Sequence, residues 1–208
     1  MPDVMEKVSN LEQMMLERLA EHGFKRKRQN VFSRKESDCK QHVSMLVTKT
    51  RGEDMAHVTL SVGFTYEAVN KTIYTLQNKK YDSRWASASV NIGTLMNKEP
   101  YGIYITEKTE MSDVADKFAG DIEKYALNLW ESCNSLSKYH RLLHEKDELV
   151  RNCTYALNRP EWNLLALSVL AKQADYEAIL DEYQDDFNKR GYSISDIRER
   201  TEELLKER

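Results

Sequence analysis

Glycine is scarce in this chain and proline scarcer still. Only 7 glycines and 3 prolines occur in 208 residues, so long regular elements joined by short connections are expected. The glycines form no G-x-x-x-x-G-K loop and no G-x-G-x-x-G turn, which removes the commonest phosphate-cradling classes. No G-x-S-x-G elbow is present, which removes the usual serine-hydrolase arrangement. The three cysteines, Cys39, Cys133 and Cys153, are odd in number and far apart. A disulfide framework looks different, so a reducing, cytoplasmic setting is the expectation. No window approaches the roughly 20 apolar residues of a spanning helix. The opening residues carry acids and no unbroken apolar stretch, unlike a signal peptide. A membrane partner is therefore not expected.

Apolar residues make up 40% of the chain and charged residues 31%, enough for a real core rather than a disordered polymer. The net charge of −3 does not suit a molecule built throughout to grip a polyanion. Its distribution is uneven, however. Residues 24–40 hold seven basic and two acidic side chains, a local charge of +5. Residues 175–208 hold eleven acidic and six basic ones, a local charge of −5.

The hydrophobic period changes twice. Val4, Val8, Leu11, Met15 and Leu19 recur every three or four residues, predicting a helix from Asp3 to His22 that stops at Gly23. Segments 24–35, 41–50 and 55–66 then read as strands. The third is clearest, with Val58, Leu60, Val62, Phe64 and Tyr66 on one face. Residues 51–54 read as the turn before it. Residues 67–81 are ambiguous between a short helix and a loop. A second strand pair is expected at 85–92 and 101–106. From Ser112, read as an N-cap, everything is helical: a stripe of Val114, Phe118, Ile122, Tyr125, Leu129 and Cys133, a helix over 136–153, another opened by Pro160, one over 175–190, and a last one capped by Ser195. Strands followed by helices without βαβ alternation predict an α+β fold. Its antiparallel sheet of about five strands is covered by the N-terminal and central helices and followed by a helical C-terminal region. The expected division is an α+β domain at 1–134 with a helical extension at 135–208 packed on it.

Three stretches carry a family likeness: His22-Gly23-Phe24-Lys25-Arg26-Lys27 after the first helix, His57-Val58-Thr59-Leu60-Ser61-Val62-Gly63, and Ser89-Val90-Asn91-Ile92-Gly93-Thr94-Leu95. With the helix ending in Tyr125-Ala126-Leu127-Asn128-Leu129, they resemble the bacterial domain-of-unknown-function family numbered 4304 over roughly residues 1–140. A tryptophan pair found near the last strand in many members is replaced here by Tyr101 and Tyr104. The resemblance implies a fold and a bacterial source, and it brings no catalytic residue with it.

Four constellations bear on chemistry. Lys25, Arg26, Lys27 and Arg28, extended by Arg34, Lys35 and Lys40, form a candidate partner-binding surface. Consecutive residues of a strand point to opposite sides, so half of the run is turned away from any one ligand unless the strand lies at an edge or is bulged. Edge protection by cations is the plainest reading. His140, His144 and Glu148 stand at i, i+4 and i+8 of one expected helix, the spacing for metal ligands. Without a further strong ligand they read as a solvated boundary, and no metal site is expected. Cys39 with His42 and His57 is the nearest approach to a cysteine–histidine nucleophile. Asp181, Glu182, Asp185 and Asp186 read as a solvated helix face.

The reading that follows is a non-catalytic protein-binding module, by analogy of the immunity or antitoxin type, with another protein as partner and no cofactor. The alternatives are a nucleic-acid-associated protein using the basic strand at 25–28, which is less favoured, and an enzyme with an unrecognised site. The sequence carries no indication of oligomeric state. Thiol titration of denatured, non-reduced protein should find all three cysteines reactive; loss of two would refute the reducing setting.

Overall fold

The computed structural model describes residues 3–51, 53–153, 159–173 and 175–207. In chain order it forms helix α1 (Val4–Ala20), strands β1 (Lys25–Arg28), β2 (Val31–Glu36), β3 (Cys39–Lys49) and β4 (Ala56–Tyr66), helix α2 (Glu67–Leu76), strand β5 (Ala88–Asn91), the one-turn helix α3 (Ile92–Leu95) and strand β6 (Ile103–Ile105). Helix α4 (Met111–Asp121), a π-helical turn (Ile122–Ala126) and helix α5 (Leu127–Ser132) follow without interruption. The remaining helices are α6 (Leu136–His144), α7 (Glu148–Arg151), α8 (Pro160–Ala171), α9 (Tyr176–Glu182), α10 (Gln184–Lys189) and α11 (Ile194–Lys206). The fold is α+β, with an open antiparallel sheet in the order β1-β2-β3-β4-β5 and β6 also paired to β4. Among the described residues, no helix is long and apolar enough to cross a membrane, and none of the three cysteines is in a disulfide.

The chain forms two compact units. One is Met1–Phe64 with Ser89–Ser132; the other is Thr65–Ala88 with Cys133–Arg208. The segment Thr65–Ala88, which includes the ambiguous residues 67–81, thus groups with the C-terminal helices.

In the first unit, Asp3 caps α1 by accepting from the Met5 N–H. The helix closes at Gly23, whose φ of 79° suits glycine. The Phe24 N–H reaches Leu19 O at 3.1 Å and the Gly23 N–H reaches Ala20 O at 2.9 Å, the paired bonds of a Schellman stop. Val4, Val8, Leu11, Met15 and Leu19 are buried. On the sheet, Phe32, Val43, Met45, Val58, Leu60 and Val62 form the matching apolar face. Burial of each such side chain contributes about 1.5–3 kcal/mol. Helix α1 packs along α4, with Arg18 bonded to Asp116 at 2.6 Å and His22 to Glu123 at 2.9 Å. The Trp130 indole donates to Gly63 O at 2.9 Å and anchors the last turn of this helical run to β4.

Several local expectations change. The strand read over 24–35 is two strands, because Asn30 takes φ 58°, a left-handed conformation that Asn tolerates, and turns the chain back. The two short strands β5 and β6 do not pair with each other; each lies on β4, whose other edge holds β3. Helix α4 starts at Met111 after Glu110, one residue before the expected Ser112 cap. The π-helical turn shifts the apolar stripe, so that Ala126 and Trp130 are buried and Tyr125 is only half-buried. Of the turn expected at 51–54, Gly52 lies outside the described residues.

In the second unit, α8 is buried on nearly every side, from Glu161 to Val169, and packs on α2, α6 and α9. Trp162 meets Phe187 at 4.7 Å and Tyr192 at 4.9 Å, both edge-on. Gly191, with φ 78°, closes α10 as Gly23 closes α1: Tyr192 N–H to Phe187 O, Gly191 N–H to Asn188 O. Buried Glu161 is held by Arg190 at 2.7 Å. The Tyr66 hydroxyl donates to Cys133 O at 2.6 Å, and the Tyr66 and Tyr139 rings stack at 6.3 Å. Ser87 satisfies both the Tyr66 N–H and Asn70 Oδ1. The last helix is capped by Ser193, not by the expected Ser195. The helix expected over 136–153 breaks at Lys146, φ 55°, and the one over 175–190 breaks at Tyr183.

Trp130→Phe removes the indole donor from the buried Gly63 carbonyl and leaves a small void. Urea denaturation should show a loss of about 1–3 kcal/mol, whereas Leu46→Ala at an exposed position should stay within about 0.5 kcal/mol. Equal effects would refute the anchoring role of the indole.

Candidate functional site

The basic run occupies the edge strand β1 and is sorted between the two faces of the sheet by a β-bulge. Lys25 pairs with Ser33 and Arg26 with Phe32, but Arg28 pairs with Val31, so the register shifts between Arg26 and Arg28. A bulge sets two residues against one. Arg26 therefore shares the side of buried Phe32, while Lys25, Arg28 and the bulged Lys27 take the other side.

On the core side, Arg26 turns to α1. Its guanidinium meets Glu12 at 2.9 Å through Nε and 3.0 Å through Nη2. Glu12 is only 6% exposed and also accepts the Asn30 N–H at 2.7 Å. Arg34 is equally committed. Its Nε donates to Gln41 Oε1 at 2.6 Å and its Nη1 to His22 O at 2.8 Å. Its guanidinium also lies 5.0 Å from the Phe24 ring and 5.5 Å from that of Trp130, in cation–π range. Arg26 and Arg34, both candidate partner-binding residues from the sequence, are thus structural.

On the opposite side, Lys35 pairs with Lys40 and Ser33 with His42. Lys40 and Arg28 both act on Lys27, whose pKa is lowered by burial first and then by these two cations. His42 is half-buried, and its pKa is pushed down to about 4 by burial, then by Lys27 and Lys40. The face therefore gathers Lys25, Lys27, Arg28, Lys35 and Lys40 around a neutral imidazole. By strand alternation Leu46 and Tyr104 lie on it as well, and they are 50% and 58% exposed. Tyr104 pairs with His57 and packs on its ring at 4.5 Å. Gly102 lets the imidazole approach, since a Cβ there would stand 2.2 Å from His57 Nε2. Lys40, expected from the sequence as an extension of the run, joins the cluster, and His42, which the sequence did not place there, comes in through the pairing of β2 with β3.

The cysteine–histidine pair is not assembled. Cys39 is buried on the apolar side of β3, and His42, an odd number of residues away, points to the other side. A buried thiol turned away from the imidazole reads as a packing group. Asp181, Glu182, Asp185 and Asp186 are exposed on α9 and α10, with Glu182 bonded to Lys146 at 2.5 Å.

The expected row His140, His144, Glu148 is interrupted. Helix α6 ends at His144, and Glu148 is exposed in α7. In place of Glu148, Asp175 comes to the histidines: His144 Nε2 lies 2.8 Å from Asp175 Oδ2. The His140 and His144 rings stand 4.8 Å apart at 73°, and His140 Nε2 lies 3.1 Å from Ser168 Oγ. Burial first, then His144, lowers the His140 pKa, while Asp175 works in the opposite sense. No sequence spacing signals an aspartate 31 residues from His144.

A family model described as a domain of unknown function, DUF4304, matches residues 16–132. The basic face lies within this span and the histidine cluster beyond it. No curated protein and no solved structure matches the chain.

The depressed His42 pKa makes a pH prediction. The folded state holds a neutral imidazole where the unfolded chain, with its ordinary pKa of 6.5, takes up a proton. Stability is therefore fully present above about pH 6.5 and falls as the pH drops toward 4. His42→Asn should remove about 1–3 kcal/mol of the acid loss measured by urea denaturation between pH 7.5 and 4.5. An unchanged acid limb would contradict the placement of His42 among cations.

Proposed function

The chain belongs to the DUF4304 family of domains of unknown function, and from that footing we propose that it acts as a non-catalytic binding module for an acidic protein. One observation carries the reading: a bulged edge strand and its neighbours gather Lys25, Lys27, Arg28, Lys35 and Lys40 on one face with exposed Leu46 and Tyr104. A face that carries cations and also exposes apolar and aromatic groups suits a protein partner, where the apolar part supplies affinity and charge supplies steering and register. Masking of a partner's site, as an immunity protein or antitoxin does, is a form of binding that requires no catalytic group from this chain.

A second reading is favoured by the same bulge. Strict alternation turns Arg26 and Arg28 away from a polyanion facing Lys25 and Lys27, and the bulge cancels that objection for Arg28. Nucleic acid is therefore the competing ligand. Five phosphate contacts at most give weak, salt-sensitive binding, and no helix or ribbon on this face carries a base-reading set of Asn, Gln and Arg. This ranks it second.

The test replaces Lys25, Lys27 and Arg28 together with Ser, leaving structural Arg26 in place. Full-length protein recovered from its own host at physiological salt should carry an acidic protein that the triple variant loses, with affinity of the purified pair reduced at least about tenfold. Duplex DNA and RNA of mixed sequence, assayed in parallel, should bind weakly. Tight nucleic-acid binding abolished by the triple variant would overturn the protein reading. So would a partner whose affinity is unchanged by the three substitutions.

A further inference from the structure

Beyond the family-matched span, α6 presents His140 and His144 one turn apart, and Asp175 stands just before α9. One donor atom from each of the three residues lies within 4.8 Å of the others. The arrangement has a loose end. Asp175 Oδ2 meets His144, but Asp175 Oδ1 is buried with no hydrogen-bond partner among the described residues. A buried acceptor left without a partner is costly, about 1–3 kcal/mol, and a carboxylate oxygen held so beside two imidazoles is placed to accept an electropositive group.

The donor chemistry is specific. Two imidazoles and one carboxylate form the set that holds zinc where one coordination position stays open to water. It does not suit calcium or magnesium, which take oxygen ligands almost alone. His140 is fixed by Ser168, a buried residue of α8, as ligating histidines are fixed through their second contact. His144 has a side chain 44% exposed, so it is free to swing the short distance that closes the set. Bonds of about 2.0–2.2 Å place ligand atoms roughly 3.3 Å apart in a tetrahedron, and the His144–Asp175 pair at 2.8 Å already lies near that separation. We infer that His140, His144 and Asp175 bind one divalent transition-metal ion of the zinc class at the surface of the C-terminal helical unit. The sequence argued against a metal here because α6 lacked a further ligand; α6 and α9 both pack on α8, and Asp175 at the start of α9 thereby reaches His144.

Full-length protein stripped with chelator and dialysed should be titrated with ZnCl2 by calorimetry and with CoCl2 by visible absorption. The expected result is one zinc per chain and the intense visible bands of four-coordinate cobalt. His144→Ala and Asp175→Asn, both at least partly exposed and checked for fold by circular dichroism, should each weaken zinc binding at least about tenfold, and Ser168→Ala, one contact further out, by a smaller factor. Cobalt spectra indistinguishable from the hydrated ion would overturn the proposal. Stoichiometric zinc held equally well by both folded variants would overturn it too, by placing the ion elsewhere.

Discussion

The buried carboxylate of Glu12 fixes the arrangement on which the candidate surface depends. A lone charge at 6% exposure is unstable unless it is paired and hydrogen-bonded. Glu12 meets that demand with two partners from one hairpin: the guanidinium of Arg26 on β1 and the backbone N–H of Asn30 in the turn. Arg26 is drawn to the core side and the turn is pinned to α1. The two residues that follow Arg26 must then be accommodated before the strand ends, and the register shift does so. Lys27 and Arg28 leave on the side opposite Arg26. One ion pair inside the fold thereby sets which cations face outward.

The two faces of the sheet hold their charged groups in different ways. On the core side, Arg26 is engaged by Glu12, and Arg34 by Gln41, His22 O and two aromatic rings. On the other side, Lys27 and His42 both have their charged forms disfavoured, by burial and by neighbouring cations. A surface that holds like charges together costs stability, and the acidic partner proposed above would relieve that cost on binding. The histidine cluster of the second unit is a separate matter, built from α6, α8 and the start of α9.

Much of the fold is legible in the sequence because it rests on periodicity. The alternation from Val58 to Tyr66 gives β4, the three-four spacing of Val4 to Leu19 gives α1, and Pro160 opens α8. What is missed has local physical causes. Nothing in residues 24–35 alternates, so the turn at Asn30 is hidden inside a basic run. The π-helical turn moves burial from Tyr125 to Ala126 and Trp130, a shift that a fixed period cannot anticipate. Lys146 breaks a helix whose apolar spacing continues through it. The candidate surface is half legible: the cations are conspicuous, but which of them are structural depends on Glu12, Gln41 and the bulge. The contact of Asp175 with His144 is a matter of tertiary packing alone.

The most direct test compares Lys25→Ser, Arg26→Ser, Lys27→Ser and Arg28→Ser, one at a time, by urea denaturation at neutral pH. Arg26→Ser strands the Glu12 carboxylate and should cost about 2–4 kcal/mol, while each of the other three should change stability by no more than about 0.5 kcal/mol. Four small and equal effects, or a loss at Lys27 or Arg28 as large as that at Arg26, would contradict the sorting of these cations by the Glu12 contact and the bulge.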